Sequence, residues 1–165
     1  MPFSPELSDW PTLLEGSWTW GATNRVIWLD GTRTDPLFHF RQLDNDPDRL
    51  TIDVEFDTAS GVRRTVAGSA RVVAGRMVIR QRGKTRTALD RFTVCGADEQ
   101  GTVVVLRHET LRRRPHGLSV LVRCGSHPEG ARAVVAAAAD AFGLDSDDFA
   151  RLSWLRPAPH GSSEI

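Results

Sequence analysis

An eight-stranded antiparallel up-and-down β-barrel, with one helix packed outside it, is the fold class this 165-residue sequence predicts. Three observations predict it. Apolar and polar residues alternate in segment after segment, the period of a strand with one wet face. In RLTIDVEFDT, for example, Leu50, Ile52, Val54 and Phe56 interleave with Thr51, Asp53, Glu55 and Asp57. Eight such segments follow one another with mostly short connections and no helical stretch between them, which reads as a meander. After Cys124 the pattern changes once, to an alanine-rich stretch of helical spacing. Eight strands suffice to close a small barrel that holds side chains or one ligand. Two packed sheets are the competing solution.

The elements follow in order. The first segment, 17–28, is entered through LLEGSWTWGATN. Trp18 and Trp20 lie two apart and so share a strand face, and Gly16 leaves room on that face for another group. PLFHFRQL (36–43) is the second strand, and DNDPD after it is a turn-rich linker. The third strand carries the alternation quoted above, and ASG (59–61) turns it into a long fourth, 62–73. Val66, Gly68, Ala70 and Val72 share one face there. Ala74-Gly75 leads to RMVIRQR, then LDRFTVC (89–95), TVVVLRHETL (102–111) and GLSVLVRC (117–124) complete the eight. Ser126, Pro128 and Gly143 punctuate one helix, PEGARAVVAAAADAFG. Its single stripe of Val134, Val135, Ala138 and Phe142 calls for one packing partner, the barrel's outer wall. Leu144, Phe149, Leu152 and Trp154 bring the chain back as a short last strand.

Residues 13–156 thus form one domain. Residues 1–12 hold Phe3, Leu7 and Trp10 at spacings of three and four, a candidate helical lid over one end of the barrel. The tail, 157–165, reads as disordered.

The 21 basic and 21 acidic residues cancel, so no net field draws in nucleic acid or a membrane surface. Lys84 is the only lysine, and tyrosine is absent, which reads as a GC-rich coding bias. RRRP at 112–115 is then a solvated hairpin tip. The start of the chain has no basic and apolar leader pattern, and no apolar run is long enough to span a bilayer. The expected location is the cytosol, where Cys95 and Cys124 would be thiols. The two cysteines end alternate strands with a third between them, too far apart for a disulfide.

Strand parity points Trp20, Phe38, Phe40, Ile52, Val54, Phe56, Val66, Met77, Ile79, Phe92 and Val94 into the lumen. Gly68 and Ala70 leave space among them, so a ligand cavity is favoured over a filled core. Gln81 and Asp90 are polar residues of the same parity, Gln81 as a ligand contact and Asp90 as a turn cap. His39 alternates with Phe38 and Phe40 and should face outward. His108 and His116 flank the last hairpin, but two histidines without a third ligand read as ordinary surface residues. No serine elbow, phosphate loop or paired CxxC is present, and no metal or cofactor is expected.

Gly16-Ser17-Trp18 opening the first strand, Arg123 near the end of the eighth, and AFGLDSDDFARLSWL after the helix together resemble the lipocalins, especially the bacterial type. In a closed meander the start of the first strand lies beside the end of the last, so Arg123 could stack across Trp18. The chain departs from that family's pattern in having no tyrosine and no secretion signal, and its second motif reduces to Asp98-Glu99. The resemblance implies a small hydrophobic molecule bound in the lumen. An alternative on the same cup is a cofactor-free cyclase or isomerase of natural-product biosynthesis, which folds its substrate for a pericyclic step. Nothing in the pattern sets an oligomeric state.

Overall fold

Strand closure rests on pairs made at the two ends of the chain. The structure, a computed structural model, describes residues 9–73, 76–81, 90–109, 117–126 and 130–155. Its strands are β1 (Gly16–Thr23), β2 (Arg33–Leu43), β3 (Asp46–Thr58), β4 (Arg63–Val73), β5 (Arg76–Gln81), β6 (Asp90–Ala97), β7 (Val103–Glu109) and β8 (Gly117–Arg123). Each is antiparallel to the next. β1 pairs with β2, Gly16 opposite Phe40, and also with β8, Trp18 opposite Arg123, so the sheet closes on itself. A two-residue strand, β9 (Ser153–Trp154), adds to β1 from outside, with Trp154 opposite Ala22.

The first strand is shorter than its sequence suggests. It stops at Thr23, and Val26–Trp28 forms a 3-10 turn across the barrel mouth. Gly21 causes part of the change. The register slips between Trp20 and Ala22, a bulge that turns Ala22 to the outer wall while Trp20 stays inside. A second slip lies between Val94 and Gly96 on β6. The expected linker after β2 is also mostly strand: β3 starts at Asp46, leaving a turn at 44–45.

Two apolar layers result. The inner layer holds Trp18, Trp20, Phe38, Phe40, Leu50, Ile52, Phe56, Met77, Phe92 and their neighbours. The outer layer sets Val103, Val105, Leu118, Val120 and Val122 against Ala131, Val135, Phe142, Leu144 and Leu152. That double coverage explains why β7 and β8 read as nearly continuous apolar runs, whereas the uncovered β3 alternates.

The expected single helix is broken. α2 (Ala131–Ala137) ends at Ala138, a 3-10 turn follows at Asp140–Phe142, and α3 (Ser146–Ala150) comes next. Alanine favours helix but offers little side chain to bury. Breaking at Ala138 lets both Phe142 and Leu144 reach the outer layer. Gly143 reverses the chain at φ 65°, and Asp145 caps α3 by accepting the Asp148 amide at 2.7 Å. Arg107 of β7 then ties the segment down, donating to the Gly143 carbonyl at 3.1 Å and to Asp148 at 3.0 Å.

Candidate functional site

The barrel has one sealed end and one open end, and residues fix both. At the sealed end the Arg123 guanidinium lies 4.2 Å above the Trp18 ring. It also donates to three backbone carbonyls: Gly101 at 3.0 Å, Glu15 at 2.8 Å and Leu13 at 2.9 Å. The Trp18 indole donates to the Leu14 carbonyl at 2.7 Å. Gly16 makes this possible. Its φ is +121°, and a β-carbon there would stand 2.6 Å from Arg123 Nη1. Asp98 shapes the neighbouring β6–β7 turn by accepting from the Thr102 amide, the Thr102 hydroxyl and the Val103 amide, each at 2.7 Å.

α1 (Trp10–Leu14) lies at this sealed end, with Trp10 and Leu14 buried in the inner layer. Residues 1–8 of the segment read as a candidate lid fall outside the described residues, as do the tail beyond 155 and the hairpin tip at 112–115.

Above the Trp18 plug the lumen holds a cavity of about 260 Å³. Trp20, Phe38, Phe40, Ile52, Val54, Phe56, Val66, Ile79 and Phe92 all line it, together with Gly68. Met77 and Val94 are buried off its wall, nearer the sealed end. Gln81 and Asp90 lie on strands at the mouth, but their side chains fall outside the described residues.

Eight wall residues were not legible as such: Arg25, Ile27, Trp28, Arg33, Ala67, Leu106, His108 and Leu121. The sequence pattern places Trp28 in the first strand. Its ring instead packs edge-on against Trp20, Phe38 and Phe56 at 5.9–6.0 Å, from the 3-10 turn. Arg33 stacks its guanidinium 4.6 Å over Phe56 and 5.8 Å from the Trp28 ring. Strict parity with Phe38 and Phe40 would turn Arg33 outward; the register slip between Thr34 and Leu37 brings it to the lumen beside Phe56, and alternation alone does not show that slip.

His108 corrects the surface reading. It is only 4% exposed and faces the lumen beside Leu106, since Val105 and Arg107 take the outer face of β7. Burial first, and the nearby Arg25 charge second, push its pKa down to about 3, so the ring is neutral at pH 7. Neither ring nitrogen has a hydrogen-bond partner among the described residues, and the same holds for Trp20 Nε1. His116, its supposed companion, is outside the described residues, and no group of three metal-ligating side chains gathers among them. His39 faces outward as its parity requires, between Ser17 Oγ at 2.8 Å and Glu55 at 3.3 Å. Cys95 and Cys124 are both free, and burial pushes both thiols up. No helix among the described residues is long and apolar enough to cross a membrane.

No protein-family model and no curated protein matches the chain. Solved structures match it by fold. Lobster apocrustacyanin A1 aligns with a TM-score of 0.65 at 11% identity, over 87% of this chain and 77% of that one. The tryptamine complex of the amine binding protein of Rhodnius prolixus gives 0.60 at 12% identity, over 85% and 76%. The siderocalin Ex-FABP gives 0.58 at 15% identity, over 93% and 97%. At these identities the likeness is one of fold alone. The fold is lipocalin-like.

Proposed function

We propose that this chain binds a small, largely apolar molecule in the lumen of its barrel, as a cytosolic protein. One observation carries the reading. The cavity is walled by aromatic and aliphatic side chains, yet Trp20 Nε1 and both His108 nitrogens are buried in it without partners among the described residues. A buried polar group left unpaired costs about 1–3 kcal/mol. An apolar cup with a few convergent polar groups is the usual form of a small-molecule site, and at about 260 Å³ it suits a small one. The matching amine binding protein, solved with tryptamine, supports the same use of the fold. Two free thiols suit a reducing compartment.

Native mass spectrometry of the protein as purified, with chromatography of what is released, tests this. A bound small molecule of defined mass is the expected result. A protein that comes out empty and takes up no apolar compound from a panel would overturn it. A compound returned as an isomer of equal mass and different retention would replace carriage with cyclisation.

A further inference from the structure

Three side chains on the outside of the barrel stand in a row that has no part in the lumen. Ser17 of β1 lies directly opposite His39 of β2, and Glu55 of β3 shares their face. Their neighbours Trp18, Phe38, Phe40, Val54 and Phe56 turn inward, so parity turns these three out. Ser17 Oγ is 2.8 Å from His39 Nδ1, and His39 Nε2 is 3.3 Å from Glu55 Oε1. The second oxygen of Glu55 is 3.5 Å from Arg63 Nε, which steadies the carboxylate from its other side.

The order of these atoms sets the direction of the proton. A carboxylate has only lone pairs to offer, whereas a neutral imidazole has one N–H and one lone pair. Glu55 beside Nε2 favours the tautomer that carries its proton there, which leaves the lone pair on Nδ1. The Ser17 hydroxyl then donates to that lone pair, within the distance at which a base takes a nucleophile's proton. Ser60 and Ser119, by contrast, meet threonine hydroxyls, which are no base. The row is open to solvent, with the His39 side chain 27% exposed and that of Glu55 34%. Arg41, exposed on the same face two residues beyond His39, lies diagonally across from Ser17 at a separation that a long side chain spans. It puts a positive charge within reach of a carbonyl oxygen that turns negative as a serine attacks.

We propose that Ser17 is a nucleophile that takes an acyl group from a small activated ester, with His39 as its general base and Glu55 as the residue that positions the imidazole. Ser17 Oγ bonds to the ester carbonyl carbon while its proton passes to His39 Nδ1. The bond from that carbon to the leaving oxygen breaks, the leaving oxygen takes the proton, and Ser17 is left acylated. Water then attacks the acyl carbon, giving a proton to the same nitrogen. The carboxylic acid departs and the proton returns to Ser17 Oγ. The site is on an open face, so the ester must be small and carry a good leaving group. The activity is independent of any ligand in the lumen.

The test is p-nitrophenyl acetate, incubated with the whole protein at pH 8. Phenolate release is followed by absorbance, and the acetylated residue is located by peptide mass spectrometry. The expected result is release faster than in buffer alone, with the acetyl group on Ser17. Ser17→Ala and His39→Gln should each slow release by at least about tenfold, the low side of what a general base supplies. Glu55→Gln should lower kcat and leave KM unchanged, a split that a merely structural contact would not produce. Cys124 is an exposed thiol whose amide donates to the Ser17 carbonyl, so Cys124→Ala is the control and should leave the rate as it is. The wild-type peptide map decides the matter if a variant misfolds. Acetyl groups found elsewhere but not on Ser17, or release unchanged in Ser17→Ala, would overturn the proposal and leave the reading of the lumen intact.

Discussion

Gly16 and Arg123 act as one unit. Adding a methyl group at Gly16 places it 2.6 Å from Arg123 Nη1, at a backbone angle that only glycine adopts freely. The guanidinium cannot retreat cheaply, because three carbonyls and the Trp18 face hold it. Gly16→Ala should therefore cost about 2 kcal/mol of stability by urea unfolding, the scale of a strained backbone position. A variant of wild-type stability would show that the contact is incidental. His108 makes a prediction with a pH window. Its folded pKa, about 3, lies far below the unfolded value of 6.5, so the unfolded chain takes up the proton first. Stability is undiminished by this group above pH 6.5 and falls by about 1.4 kcal/mol per pH unit as pH drops toward 3. His108→Leu should flatten the loss between pH 6 and 5 by that amount. Equal slopes in the two proteins would mean that the ring is hydrated or charged.

At the scale of elements, β3 and β1 show what a sequence reveals and where it stops. The alternation from Leu50 to Phe56 is legible because one face of β3 meets the lumen and the other meets water. The lumen parity of β2, β4, β5 and β6 follows in the same way. In β7 and β8 both faces are buried, so the period fades, and His108 could not be told from a surface residue by pattern alone. The Gly21 bulge is invisible for a different reason. A single glycine marks a break in parity only once its partner strand is known, so the pattern alone runs the strand on through Val26–Trp28. The C-terminal segment shows the same limit: helix propensity is local, but the break at Ala138 is set by what Phe142 and Leu144 must reach. Arg107→Met should release that segment. Hydrogen exchange across residues 144–154 should rise, while the β3 and β4 amides, far from it, keep their protection. Uniform loss of protection would instead make Arg107 part of the barrel's global stability.

For the whole molecule, the two tryptophans of β1 divide the labour between the ends. Trp18 is sealed under Arg123 and Trp20 lines the cavity. Trp18→Ala should cost about 3–5 kcal/mol of folding stability, as large core truncations do, and change affinity for a lumen ligand little once folded. Trp20→Ala should do the reverse, weakening the ligand more than the fold. Equal losses in both assays from both variants would sink the division. The sealed end has one more consequence, for the order in which the protein is made. Arg123 grips carbonyls of residues 108 and 110 positions earlier, and β8 completes the seam with β1. A nascent chain on the ribosome therefore carries Trp18 bare, and the first strand unmatched on one edge, until almost three quarters of it has emerged. Maturation is gated by synthesis: a chain stalled before Arg123 has an open seam, the exposed edge that chaperones and proteases act on.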